Sequence, residues 1–282
     1  MADLSRSVHA TCACVTDRDA DVAARYGARM QVTILGSGTA IPESDRFPAG
    51  YLVVAGGLRL MVDCGPGTLR RLAAAGQDIA DLDAVLLTHY HTDHCADLAA
   101  LLFALHGPNY AGRGPLRVFG APGLERLVAT LTSAWPWLTP RGYELVLREL
   151  LPGDLALAAD LTLRAVPIRH TAQSLGYRLT SPTGSAAFSG DADECDELVE
   201  LARDVDLFVC DAATPDGQKL DGHLTPGLAG RYAARAGART LVLTHFYPPC
   251  RGHDLRAMAA ATFAGEVVVA EDLLVLYAEA RR

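Results

Sequence analysis

The chain has 282 residues, half of them apolar and 21% charged, with 26 Gly and 15 Pro scattered along it; this balance supports a sizeable core and excludes a disordered, collagen-like or low-complexity chain. Its 25 basic residues against 33 acidic ones give a formal charge of −8, so no general electrostatic pull toward nucleic acid or anionic lipid operates and any phosphate ligand has to be held locally. The 7 cysteines fall at irregular spacings in a chain long enough to need no staples, which argues for reduced thiols.

Residues 1–29 carry no sustained apolar period, and Asp17, Arg18, Asp19 and Asp21 stand where a signal peptide would be apolar. This stretch reads as a flexible N-terminal arm, and its Cys12-x-Cys14 pair lacks the further ligands of a zinc site. No run approaches the roughly 18 apolar residues of a membrane span, so a cytoplasmic setting is expected. One domain is expected over residues 30–282. It opens with a strand at 31–35, and strand-length apolar runs follow at 51–55, 58–62, 84–88, 116–119, 161–166, 185–188, 207–210, 241–244 and 267–270, with another at 273–277. Helical periodicity is clearest over 68–75, 98–105, 123–133, 195–203 and 228–236, with Pro66 and Pro226 near two of the entries. Ala55-Gly56-Gly57 and Ser181-Pro182-Thr183-Gly184 are hairpin signals. Together they predict an α/β chain with two mixed β-sheets between outer helices. The loop Gly36-Ser37-Gly38-Thr39-Ala40 imitates a dinucleotide fingerprint, but Ile41 replaces its third glycine and Pro42 follows, so a tight turn is expected.

The densest chemistry lies in Thr88-His89-Tyr90-His91-Thr92-Asp93-His94, where an apolar strand ends and a helix begins. Imidazole and carboxylate donors suit Zn²⁺, Mn²⁺ or Fe²⁺ at a catalytic site, whereas a structural site would show paired cysteines. Three more strand ends carry ligand-type side chains: Val166-Pro167-Ile168-Arg169-His170, Phe188-Ser189-Gly190-Asp191 and Leu241-Val242-Leu243-Thr244-His245. One such residue alone would be a capped strand or a satisfied core histidine; four strand ends together predict one metal site. Cys64 and Cys95 read as buried fillers, Asp63 as a support for a ligand, His106 as a helix-end histidine and His253 as a surface histidine. Tyr110, Trp135 and Trp137 lie where a lid could form, with core packing the default for the tryptophans.

His89, His91, Asp93 and His94 match the H-x-H-x-D-H signature of the metallo-β-lactamase superfamily, and His170, Asp191 and His245 match its later ligands; the chain resembles that family from Met30 onward. The resemblance implies an αββα sandwich and two divalent metal ions, Zn²⁺ first and Mn²⁺ or Fe²⁺ also acceptable. It assigns His89, His91 and His170 to one ion, Asp93, His94 and His245 to the other, and Asp191 to both. Asp211-Ala212-Ala213-Thr214, Gly222-His223-Leu224-Thr225 and the opening Gly36-containing loop are similar to the ribonuclease Z (ElaC-like) and PhnP-like phosphodiesterase group, although Asp211 replaces Glu and Asp97 replaces Gly. This implies that His223, oriented by Asp211, protonates a leaving group, with Asp93 also counted in the catalytic set.

The expected function is a dinuclear metal-dependent hydrolase, a phosphodiesterase acting on small or cyclic nucleotide-like substrates through a metal-bridging hydroxide. The alternatives are a carboxylic ester, lactone or thioester hydrolase on the same site and, ranked lower, a tRNA 3′-processing endonuclease. The expected partners are a small-molecule substrate, no membrane and no long nucleic acid, with a homodimer left open. The low rank of tRNA rests on the short interval from His170 to Asp191, which reads as a hairpin and leaves no room for a tRNA-gripping arm.

Overall fold

The computed structural model describes residues 29–280, and within them apolar side chains alternate along the strands so that both faces of a sheet are covered. In β1 (Met30–Gly36), Val32 and Ile34 enter one core while Leu35 enters another. In β2 (Gly50–Ala55), Tyr51 and Val53 go with the first, Leu52 and Val54 with the second. The two cores therefore lie on opposite sides of one sheet.

That sheet has seven strands in the order β14-β1-β2-β3-β4-β5-β6, adding β3 (Leu58–Val62), β4 (Ala84–Leu86), β5 (Leu116–Gly120), β6 (Leu145–Glu149) and the late strand β14 (Val275–Ala278). The second sheet, also of seven strands, runs β13-β12-β11-β10-β9-β8-β7. It comprises β7 (Gly153–Ala158), β8 (Leu161–Pro167), β9 (Leu175–Ser181), β10 (Gly184–Phe188), β11 (Leu207–Asp211), β12 (Thr240–Thr244) and β13 (Glu266–Val269). Strands β3 to β6 are parallel, as are β10 to β13; the remaining pairs are antiparallel, and two of them, β2–β3 and β9–β10, turn at the hairpins expected from Gly56-Gly57 and Pro182-Thr183. Each sheet is mixed, as predicted.

The inner core holds Leu60, Val62 and Leu86 of one sheet with Leu163, Tyr177 and Phe208 of the other. Outside the first sheet, α1 (Thr68–Ala74), α3 (Asp97–Ala104) and α4 (Leu124–Ala134) bury Leu72, Leu98, Leu101, Leu124 and Val128; the single turn α2 (Thr92–Cys95) precedes α3. Outside the second, α5 (Glu197–Leu201), α6 (Pro226–Ala236) and α7 (Leu255–Ala260) bury Leu198, Leu201, Ala229, Ala233 and Ala259. The result is an αββα sandwich. Among the described residues no helix is long and apolar enough to cross a membrane, and Cys64, Cys95, Cys195, Cys210 and Cys250 are unpaired.

Several elements differ from the sequence expectation. Strands β6 and β7 each stand at one edge of a sheet, and none of their side chains is fully buried, so they lack the buried apolar run that marks the other strands. The helix expected over 195–203 contracts to α5, and the interval expected to include a lid is built into α3, β5, α4, β6, β7 and β8. Trp135 and Trp137 are 54% and 64% exposed, not core residues; they follow the C-terminus of α4, past the buried stripe of Leu124 and Val128. The arm expected over residues 1–29, with Cys12 and Cys14, lies outside the described residues apart from Arg29.

Candidate metal centre

The site gathers at the carboxyl ends of the strands, where an open α/β sheet leaves its loops free to converge. The β3 end supplies Asp63, the β4 end His89, His91, Asp93 and His94, the β8 end His170, the β10 end Asp191, the β11 end Asp211 and the β12 end His245. Donor atoms of His89, His91, His170 and Asp191 lie within 4.8 Å of one another, as do those of Asp93, His94 and His245. These are the two groups the sequence resemblance implied.

Asp191 stands between them and gives each a different oxygen. Oδ2 lies 3.6 Å from His89 Nε2 and 3.5 Å from His170 Nε2; Oδ1 lies 3.0 Å from His94 Nε2 and 3.2 Å from His245 Nε2. His91 Nδ1 is 3.2 Å from His170 Nε2, and His245 Nε2 is 3.5 Å from Asp93 Oδ2. Four donors about 2.0–2.1 Å from a tetrahedral zinc would be about 3.4 Å apart, so these spacings fit a metal in each group.

The wiring behind the donors strengthens that fit. Asp63 accepts the backbone N–H and the hydroxyl of Thr88. With its proton given to Asp63, Thr88 Oγ1 can accept from His89 Nδ1, 3.1 Å away. His89 is held neutral, its pKa lowered to about 2 by burial and then by the charge of His94. Its Nε2 therefore presents a lone pair to the Asp191 carboxylate, and both His89 Nε2 and Asp191 Oδ1 are buried without a hydrogen-bond partner. Electron-rich buried atoms at such spacing call for positive charge between them. Asp63 Oδ2 lies 2.8 Å from His94 Nδ1; burial opposes charge on His94, but the charges of Asp191 and Asp63 outweigh it and raise its pKa well above the usual imidazole value. Asp191 is held well below the carboxylate range despite its burial, chiefly by His245 and His94.

Glycines and strained backbone shape the cage. Gly190, with φ +60, has Thr88 where a Cβ would be, 2.8 Å away. His245 and Asp63 adopt left-handed φ values of 62° and 56° without being glycine, a strain that surrounding contacts must hold. In the Gly36–Ala40 loop, the Ala40 N–H donates to Asp93 Oδ2 at 3.1 Å. Asp97, the departure from the resembled pattern, accepts from the N–H groups of Gly67 and Leu69. Gly67, left-handed and without a side chain, cannot cap α1 itself, so Asp97 supplies the cap from another helix.

His223 and Asp211 meet as expected: Asp211 Oδ2 lies 2.9 Å from His223 Nδ1 and also accepts from Ala192 N–H at 3.0 Å. His223 is stacked on His245 at 5.3 Å and lies 5.0 Å from His170. Burial lowers its pKa, but the hydrogen bond and charge of Asp211 prevail and raise it to about 9. Asp191, Asp211, His223 and His245 also lie close enough to form a third donor group, but His223 Nδ1 and Asp211 Oδ2 are committed to each other. Cys64 and Cys95 are buried with raised thiol pKa values, caused first by burial, and have the filler role expected of them. His106 follows α3, and His253 is exposed. Sequence reasoning gave Thr88 no role of its own and missed Asp193, which pairs with Lys219, the only lysine of the chain.

A family profile described as Beta-lactamase superfamily domain matches residues 58–246. Ribonuclease Z of Mycobacterium bovis (strain BCG / Pasteur 1173P2) is 34% identical over 272 residues, covering 86% of this chain and 96% of the relative. Ribonuclease Z of Mycobacterium marinum (strain ATCC BAA-535 / M) is likewise 34% identical, with 86% and 97% covered. The metallo-β-lactamase fold protein YhfI from Bacillus subtilis superposes with a TM-score of 0.77 at 28% identity, over 89% of this chain and 99% of that one. The short form of human tRNase Z shares the fold at a TM-score of 0.72 and 24% identity, covering 88% and 98%.

Proposed function

The chain belongs to the metallo-β-lactamase superfamily, in its ribonuclease Z- and PhnP-like group, and is a metal-dependent hydrolase; we propose that it cleaves a phosphodiester and that the 3′ trailer junction of precursor tRNA is its substrate. The observation that carries the chemistry is the His223–Asp211 pair at 2.9 Å, beside the two donor groups. The choice of RNA rests on likeness to enzymes named Ribonuclease Z along 86% of the chain and 96% of theirs. This reverses the order expected from sequence alone, which put small diesters first and expected no long nucleic acid.

His89, His91 and His170 would hold one ion, Asp93, His94 and His245 the other, with Asp191 shared; the N/O donor set suits Zn²⁺, and also Mn²⁺ or Fe²⁺. When bound, such a pair supplies a nucleophile at neutral pH and neutralises phosphate charge. The protein's own part is positional and acid–base. Asp211 fixes the proton of His223 on Nδ1 and favours the imidazolium, leaving Nε2–H to donate to the departing alkoxide or to a phosphoryl oxygen. A ribose 3′-alkoxide is a poor leaving group, so proton donation matters more here than for an activated ester.

A second reading, a small or cyclic phosphodiester, is favoured by one observation: β9 and β10 fill the interval between His170 and Asp191 as a plain hairpin, leaving no tRNA-gripping arm there in a chain of net charge −8. The test compares kcat/KM for a precursor tRNA with bis(p-nitrophenyl) phosphate, cyclic nucleotides, lactones and thioesters under one salt and metal condition. Efficient cleavage at the 3′ junction sustains the RNA reading. Activity confined to small diesters restores the second, and activity on carbonyl substrates alone defeats both.

A further inference from the structure

The loop between β11 and α6 carries His223, and its fastening lies outside the metal cage. Lys219, the only lysine among 25 basic side chains, places Nζ 2.7 Å from Asp193 Oδ1. The other oxygen of Asp193 accepts the N–H of Gly222 at 3.0 Å. On the far side of the same residue, Gly222 O accepts from His170 Nδ1 at 2.8 Å. Gly222 is left-handed at φ +84, and a Cβ there would stand 3.0 Å from that imidazole. Asp193 is buried, 8% exposed, while Lys219 is 31% exposed. The Asp193 N–H donates to Arg169 O at 2.7 Å, so one residue ties together the segments bearing His170, Asp191 and His223.

We propose that Asp193, held by Lys219, is a positioning residue that clamps the Gly222 amide and thereby aims His223 at the leaving group. This role for Asp193 rests on the proposed function of His223 as proton donor. A buried carboxylate would be costly alone; paired with an ammonium and two backbone N–H groups, those of Gly222 and Glu194, it becomes a rigid anchor. The His223–Asp211 bond sets the tautomer and tilt of the ring, but not where the backbone beneath His223 stands. The Gly222 clamp sets that.

The test is a double-mutant cycle at saturating metal. Asp193→Ala should lower kcat by about 10- to 100-fold with KM changed less than about threefold, the pattern of an interaction realised in the transition state. In a His223→Ala background the same substitution should cost less than about threefold. Lys219→Met should reproduce part of the kcat loss and Lys219→Arg should restore it to within about threefold. Two readouts need no turnover: in metal-free protein, Asp193→Ala should speed hydrogen exchange at the Gly222 amide, and Asp193→Asn should speed amine acylation at Lys219, followed by peptide mapping. Losses that add in the double variant, or a Gly222 amide and Lys219 amine indifferent to Asp193, overturn the clamp. If the wild type cleaves no phosphodiester, the exchange and labelling results still decide the clamp, while the proton-donor reading falls separately.

Discussion

Asp63 and His94 are 31 positions apart, yet Oδ2 of one lies 2.8 Å from Nδ1 of the other. Asp63 is wholly buried and left-handed at φ 56°, and it serves Thr88 with the same carboxylate. A metal-binding imidazole usually needs such a partner to fix its ring. Asp63→Asn should weaken metal binding by about 10- to 100-fold, read by competition with a chromophoric chelator. Unchanged affinity would show that His94 needs no anchor.

Asp191 gives one oxygen to each donor group, so removing its charge should affect both. Asp191→Asn is expected to lower bound metal below two ions per chain and to abolish most turnover, because the repulsion between two cations then goes uncompensated. Elemental analysis of the purified variant checks it. Two metals together with full activity would contradict a shared carboxylate.

His223→Ala should leave metal content intact while turnover falls by roughly 10²- to 10⁴-fold, the range for a lost acid or base. The loss should shrink for p-nitrophenyl diesters, whose leaving group needs little protonation. Loss of metal in this variant would make His223 a ligand, a member of the third donor group.

Asp97→Ala removes the cap of α1, leaving the Gly67 and Leu69 N–H groups without their carboxylate. The expected cost is about 1 kcal/mol, a fall in melting temperature of about 2–4 °C for a domain of this size, with metal content unchanged. A calorimetric scan of metal-loaded protein measures it.

Most of the cage was legible in the sequence because its donors end apolar strands: His89, His170, Asp191 and His245 each follow a run that reads as β. Hairpins were legible where turn chemistry marks them, at Gly56-Gly57 and Pro182-Thr183. Strands β6 and β7 were not, because neither buries a side chain fully and so neither carries a core-facing apolar run. Trp137 was misjudged because aromatic bulk signals burial only on average, and a helix end can leave it outside. The roles of Asp193 and Asp97 were illegible for a different reason: each carboxylate holds a backbone N–H of a segment about thirty positions away, a contact with no local pattern.

The mirrored strand order divides the cage between the two sheets, with His89, His91, Asp93 and His94 on one and His170, Asp191 and His245 on the other. Neither half is a complete binding site, and the last donor, His245, stands at the end of β12. A growing chain therefore cannot complete the cage until β12 has been synthesised and the two sheets have docked. Metal acquisition becomes a checkpoint on assembly, and a truncated or misdocked product is left without a complete cage.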